Sequence, residues 1–307
     1  MKLCCLFHRL VVCFLVLVIT GFVTSPETFA QILFQEDFEG ETVGLQPSSF
    51  SVNGPATNTG ATDNPPVAGT SGPLGAVVVP FGSVSNLAGT GNALRIYDHD
   101  SDSSVNLTQD ITGTGLMRWD LSFSSDAFTG TNGNSFLRIA FGRLTMNPGS
   151  SSDGRVMGRV TIARTSGSNT RFEVRNNTTD TTVLSDFTLL NSHQISIFAN
   201  TDDSASSNYN FSGGQSLASN TYDVFLDGAL VADDFAFRSG STSGLNDIET
   251  IGFATGSSQT GPDWIIDDIT VSAIPEPSAL CLLSLATVFV IIVKRKRVCF
   301  AFRSNFE

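Results

Sequence analysis

A chain of 307 residues with a formal charge of −12 and five cysteines is long enough for one sizeable core plus targeting segments. Between Gln31 and Ser272 there is no lysine and no cysteine, and ten arginines face 26 aspartates and glutamates, a formal balance of −16. This excludes a cysteine nucleophile or a zinc–thiolate centre, and it disfavours nucleic acid and anionic lipid as partners of the body.

At the N-terminus, Lys2, His8 and Arg9 flank the start of an apolar run from Leu10 to Ile19, and Thr28-Phe29-Ala30 closes the segment with a small-x-small pattern. This is the layout of a signal peptide, residues 1–30, forming a helix on export and cut by signal peptidase between Ala30 and Gln31. About ten apolar residues cannot span a hydrocarbon core of ~30 Å, so a permanent anchor is disfavoured here.

Residues 31–272 are expected to form an all-β body. Short apolar runs recur between clusters of Gly, Ser, Asn and Asp, and strong helix formers are scarce. The expected strands are Ile32–Phe38, Ala93–Tyr97, Ser104–Gln109, Leu116–Ser124, Ser135–Leu144 and Val156–Arg164. They continue with Arg171–Asn176, Thr182–Thr188, Gln194–Ala199, Thr221–Leu226, Ala229–Phe237, Thr250–Ala254 and Trp264–Ser272. Leu137, Ile139 and Phe141 alternate with Phe136 and Arg138, and Tyr222, Val224 and Leu226 keep the same period of two. With no βα rhythm, that period argues for antiparallel sheets with one buried face each. The stretch 43–91 is rich in Pro and Gly and reads as a long excursion, with Gly75–Phe81 its one strand. Asp227-Gly228 predicts a two-residue hairpin of type I′, which needs positive φ at both positions.

Three segments carry a family resemblance. They are the opening Glu36-Asp37-Phe38-Glu39-Gly40, the hairpin from Tyr222 to Val231, and the closing strand Trp264-Ile-Ile-Asp-Asp-Ile-Thr-Val271. Together they resemble concanavalin A-like and laminin-G-like modules. The resemblance implies an antiparallel two-sheet jelly-roll sandwich whose first and last strands are close, and it leaves the ligand open.

Pro275-Glu276-Pro277 is followed by an apolar run from Ala279 to Val293 and the basic cluster Lys294-Arg295-Lys296-Arg297. Residues 274–297 thereby resemble the PEP-CTERM sorting domain. The basic cluster stays cytoplasmic while the apolar run inserts as a transmembrane helix, and Pro-Glu-Pro holds an extended segment just outside the bilayer. The resemblance implies processing by an exosortase-type enzyme. The protein is then membrane-anchored before cleavage and reaches the cell envelope or extracellular matrix afterwards. A plain tail anchor is the alternative. Residues 298–307 extend past the usual end of such domains as a cytoplasmic tail.

Candidate chemistry is sparse. By period two, Asp267 shares a face with Ile265, Ile269 and Val271, and Glu36 shares one with Ile32, Phe34 and Phe38. A core-facing carboxylate is costly unless paired. If the first and last strands are neighbours, Glu36 and Asp267, with Glu39 and Asp268, form a candidate structural calcium site of hard oxygen ligands. The competing readings are pairing with an arginine such as Arg95, or a register slip that leaves both groups in solvent. Asp98-His99-Asp100-Ser101-Asp102 opens like an EF-hand loop, but Ser103 and Gln109 stand where the turn glycine and bidentate glutamate belong. His193 reads as a polar residue beside a turn, and Trp119 and Trp264 as core rather than sugar platforms. With no HExxH and no Gly-x-Ser-x-Gly, no catalytic residue is assigned. The expected function is a structural, adhesive or glycan-binding envelope or matrix protein, with extracellular polysaccharide as partner. The alternative is a secreted polysaccharide-active enzyme, a hydrolase or lyase, on the same scaffold.

Overall fold

Alternating apolar side chains can be kept dry only if a second sheet covers the apolar face of the first. In the computed structural model that is what these strands do. The described residues are 30–53, 74–81, 91–98, 104–125, 135–164, 170–185, 191–203, 205–238, 247–256 and 263–274. Their strands, in chain order, are β1 (Gln31–Glu36), β2 (Ser51–Asn53), β3 (Leu74–Pro80), β4 (Asn92–Asp98), β5 (Asn106–Thr114) and β6 (Leu116–Ser125). Next come β7 (Ser135–Gly142), β8 (Val156–Arg164), β9 (Thr170–Asn176), β10 (Thr179–Ser185) and β11 (His193–Asn200). The last are β12 (Ser207–Tyr209), β13 (Gln215–Leu217), β14 (Thr221–Leu226), β15 (Ala229–Ala236), β16 (Asp247–Gly256) and β17 (Trp264–Ile274).

One sheet of eight strands runs β15-β14-β11-β6-β17-β4-β3, with β1 also on β17. A sheet of seven runs β10-β9-β8-β7-β16-β5-β2, and β12 and β13 form a small hairpin apart. The pairings are antiparallel. Strands such as β4, β5, β6 and β7 pass alternately between the sheets, and each pairs with strands remote in sequence. The fold is thus the expected antiparallel two-sheet jelly-roll sandwich, with its first and last strands hydrogen-bonded. The segments expected to form terminal helices lie outside the described residues.

The core lies between the sheets. Trp119, Leu121 and Phe123 of β6, with Ile195 and Ile197 of β11, meet Leu137, Ile139 and Phe141 of β7 and Ile251 and Phe253 of β16. Trp119 stacks on Phe141 at 4.9 Å between centroids, and Phe141 meets Tyr222 edge-on at 5.2 Å. Tyr222, fully buried on β14, reaches the backbone of the opposite sheet. Its hydroxyl donates to the Arg175 carbonyl and accepts from the Arg159 amide at 3.4 Å. It takes up backbone groups just past Val160–Val174, where β8–β9 pairing ends. At the β14–β15 turn, φ is 51° at Asp227 and 78° at Gly228, the type I′ geometry expected there.

None of the register irregularities was foreseen, and two of them bear on the site. Register shifts between Ile32 and Phe34 on β1, and between Asp267 and Thr270 on β17. A bulge reverses side-chain parity. Ile32 is accordingly 58 % exposed while Phe34 packs on the core. On β17, Trp264 and Ile266 face the core before the bulge, and Ile269 and Val271 face it afterwards. Asp267 therefore does not share a face with Ile269 and Val271. It pairs with Ser122 and points to the outer side of the sheet. The expected excursion also contains a second strand, β2, and its residues Gly44 and Leu45 bond to Val78 of β3.

Candidate functional site

β17 has β6 along one side. Along the other it pairs with β4 over Trp264–Ile266 and with β1 from Ile269 onward. The handover falls at Asp267-Asp268, where Asp268 takes φ 53°. The turn after β1 comes to the same place, with Phe38 buried at φ 58°. This turn is held by side chains. Glu36 Oε1 accepts from the Phe38 amide at 2.8 Å, Asp37 Oδ1 from the Glu39 amide at 3.1 Å, and Glu39 Oε1 from the Asn92 amide at 2.9 Å. The Glu39 carboxylate lies where a Cβ at Gly91 would be, 1.6 Å away, and Gly91 has φ 96°. Only glycine fits that position.

The result is a knot of carboxylates. Asp267 has its Oδ1 buried without a partner. Burial, then the charges of Asp268, Glu39 and Asp37, push its carboxyl up to about 7. Of the residues considered for a cation site, Glu39 and Asp268 lie close enough to Asp267 for their charges to act on it. Glu36 is not with them. Its register partner is Ile269, on the core side, and it is engaged in the turn. Asp37 joins the group instead, which parity alone did not reveal. Arg95 does not neutralise Asp267; its Nε donates to Asp263 at 2.7 Å. Among the described residues, no three acidic or histidine side chains are posed to hold one metal ion together. The donor set is chemically right for a hard cation, but its side chains do not converge on one position.

The outer face of the eight-stranded sheet adjoins this knot. Register places Gln35, Thr270, Asp120, Ser196 and Phe225 side by side on five successive strands. The next row holds Asp267, Ser122 and Gln194. Asp120 accepts from Ser196 Oγ at 2.6 Å and lies 2.7 Å from Arg118 Nε. The Arg118 guanidinium rides over the rings of Phe211 and Phe198, at 4.8 and 5.3 Å. Those rings belong to an apolar group with Tyr209, Leu217 and Phe225 that links the β12–β13 hairpin to the sheet. Tyr209 donates to Asp223, whose carboxyl is raised by burial.

Other expected positions are structural. Trp119 and Trp264 are buried. His193 Nδ1 meets Asp227 Oδ2 at 2.8 Å beside the Asp-Gly turn, its ring stacked on Phe123. Asp98 is buried and accepts from Thr255 Oγ1 at 3.0 Å; residues 99–103 of the EF-hand-like stretch lie outside the described residues. So do Pro275, Glu276, Pro277, Lys294, Arg295, Lys296 and Arg297. Ala30 and Gln31 are described, and both are exposed.

No protein-family model and no curated protein matches the chain. Among solved structures, a conserved carbohydrate esterase from the Shiga toxin-encoding bacteriophage phi24B is similar over 80 % of this chain and 100 % of its own, with 12 % identity and a TM-score of 0.47. The T. cruzi calreticulin globular domain is similar over 90 % and 100 %, at 12 % and 0.45. The cellulose-induced protein Cip1 is similar over 78 % and 96 %, at 12 % and 0.42. These are likenesses of β-sandwich architecture, and at such values they say nothing of activity.

Proposed function

We propose that the chain is an exported envelope or extracellular-matrix protein whose sandwich binds glycan without cleaving it. The supporting observation is the outer face of the eight-stranded sheet, where Gln35, Thr270, Asp120, Ser122 and Gln194 stand in rows. Amides and hydroxyls both donate and accept, as sugar hydroxyls do, and a rigid sheet holds them at fixed spacing. The Arg118–Asp120 pair supplies a charged donor and a charged acceptor side by side. In affinity electrophoresis through neutral dextran, β-glucan, galactan or mannan, at least one polymer should retard the protein. Asp120→Ala should weaken that retention about tenfold, the loss of a charged hydrogen bond. Retention by none of the four would sink the neutral-glycan reading.

A polysaccharide-active enzyme is favoured by one observation. Asp267, protonated to near neutrality, shares this face with Asp120 as a diagonal neighbour, on the order of 7 Å away between backbones in an ordinary sheet. Release of reducing ends, abolished in Asp120→Ala, would decide for that alternative.

The delivery half of the reading rests on the terminal motifs. It predicts an intact mass for the mature protein that starts at Gln31 and ends near Pro275-Glu276-Pro277. A product from the cell envelope that retains Lys294–Arg297 would instead mark a permanent anchor. At the β1–β4–β17 junction we read a structural calcium ion, with Glu39, Asp267, Asp268 and Asp37 as its carboxylates and Glu36 as the residue that holds the turn. When bound, the ion would supply positive charge to a knot that otherwise repels itself.

A further inference from the structure

Arginine is unevenly spread in this lysine-free body. Strands β7, β8 and β9 lie side by side, and their outer face carries Arg138, Arg159, Arg171 and Arg175. Among the described residues the carboxylates on the same face of these strands and β10 are Glu173 and Asp180, so the described patch holds an excess of two positive charges within a body of −16. At physiological salt the Debye length is ~8 Å, so the remote acidic surface does not cancel this local excess.

Part of the cluster is a clamp. Arg138 donates to the Gly149 carbonyl, Arg159 to the Ser150 carbonyl at 3.2 Å, and both Arg159 and Arg175 reach Asp180. Arg175 Nη2 also donates to the Ser151 carbonyl at 3.5 Å, so one nitrogen of the Arg159 guanidinium and one of the Arg175 guanidinium are left over. Nε of Arg138, Arg159 and Arg171, Nη1 of Arg175, and Thr161 Oγ1 are buried without partners. Arg159 and Arg175 are themselves 0 % and 1 % exposed. Arg171 Nε lies 3.4 Å from Glu173 without the alignment of a hydrogen bond. A buried donor left without an acceptor is costly. Register sets Thr161 directly between Arg138 and Glu173, with Arg159 two residues along β8 and Arg171 diagonal on β9. The carboxylate in this set, Glu173, lies beside Arg171 at 3.4 Å, which leaves the buried Nε of Arg138 and of Arg159 without an acceptor. The Arg138 guanidinium lies over the Phe136 ring, 3.9 Å from its centroid. The open side is at Arg171, whose side chain is 42 % exposed.

We propose that this face is an anion subsite that takes the carboxylate or sulfate groups of an acidic polysaccharide, seated over Thr161 between Arg138, Arg159 and Arg171. A planar fork accepts either oxyanion in bidentate fashion. Burial, followed by the charge of Arg159, already pushes Arg138 down to about 10, and a bound anion relieves that stress. The inference borrows from the glycan-binding reading only the sugar nature of the polymer, and it uses the opposite sheet.

Affinity electrophoresis of the purified protein at 0.15 M salt, a condition that leaves only local charge effective, tests it. The gels contain polygalacturonate for carboxylate, dextran sulfate for sulfate, plain dextran, or duplex DNA. Retardation by polygalacturonate or dextran sulfate is expected, weakened at least about tenfold in Arg171→Gln with an unchanged melting temperature, since one charged bidentate contact is lost. Arg171→Lys keeps the charge but not the fork, and should recover only part of the retention. No retention by either acidic sugar, or retention indifferent to Arg171→Gln, overturns the subsite. Stronger retention by DNA than by both acidic sugars overturns the glycan assignment. Binding to neutral polymers through the eight-stranded sheet would survive either failure, so the two readings fall separately.

Discussion

Asp180→Asn destabilises the protein by about 3 kcal/mol, the lower end of the range for breaking a buried ion pair from one side. Arg159 and Arg175 are fully buried, and among the described residues Asp180 is the one carboxylate that both reach. The substitution removes a single charge and leaves two guanidiniums facing each other in a dry site. The loss stays at the lower end because the Asp180 side chain is 30 % exposed, which lets water screen part of it. Burial alone would raise this carboxyl, but Arg159 and Arg175 outweigh it and hold it below the usual range. Its contribution is therefore present above pH ~4 and is lost as the medium is acidified below that. Urea denaturation at pH 7 and at pH 3 checks both statements. The wild-type advantage over Asp180→Asn should be full at the first pH and shrink at the second. Replacing Arg159 and Arg175 by Met as well should recover much of the loss, because no uncompensated charge remains.

Asp267→Asn should change sign with calcium. The folded carboxyl titrates near 7, against ~3.9 in an unfolded chain. A raised value means that the group's contribution is full below pH ~4 and is lost as pH rises through about 7. In EDTA at pH 8, wild type therefore carries an unfavourable buried charge, and Asp267→Asn melts higher. With calcium at about 100 times its dissociation constant, wild type gains about 2.7 kcal/mol. The variant gains far less, so the order of melting temperatures inverts. Scanning calorimetry in EDTA and in millimolar calcium reads the crossing directly. Parallel shifts of both proteins would remove calcium from this junction.

Much of the fold was legible because its information is local. Period-two runs such as Leu137, Ile139 and Phe141, and the Asp227-Gly228 turn, declare strand and hairpin without reference to distant residues. The bulges on β1 and β17 do not. Each inserts a residue whose only trace is a change in which neighbours end up buried, and this moved Asp267 from the core side to the outer side. The strands β12 and β13 are three residues each, too short for a period to show. The arginine face was half visible. Arg171, Glu173 and Arg175 alternate within one strand, but their meeting with Arg138 and Arg159 depends on which strands pair. A net charge of −16 conceals it, because summation over a chain discards position. For the acidic knot, strand proximity was foreseeable, while the exchange of Glu36 for Asp37 depended on a turn conformation at Phe38.

The final strand is an interior member of its sheet, flanked by β6 on one side and by β4 and β1 on the other. Whatever tension reaches the sandwich through Ile274 is therefore directed along that strand, not across it. Hydrogen bonds on both flanks must give way together, in shear, before the strand can slide. A body loaded in that way resists pulling far better than one whose last strand can be peeled from an edge one bond at a time.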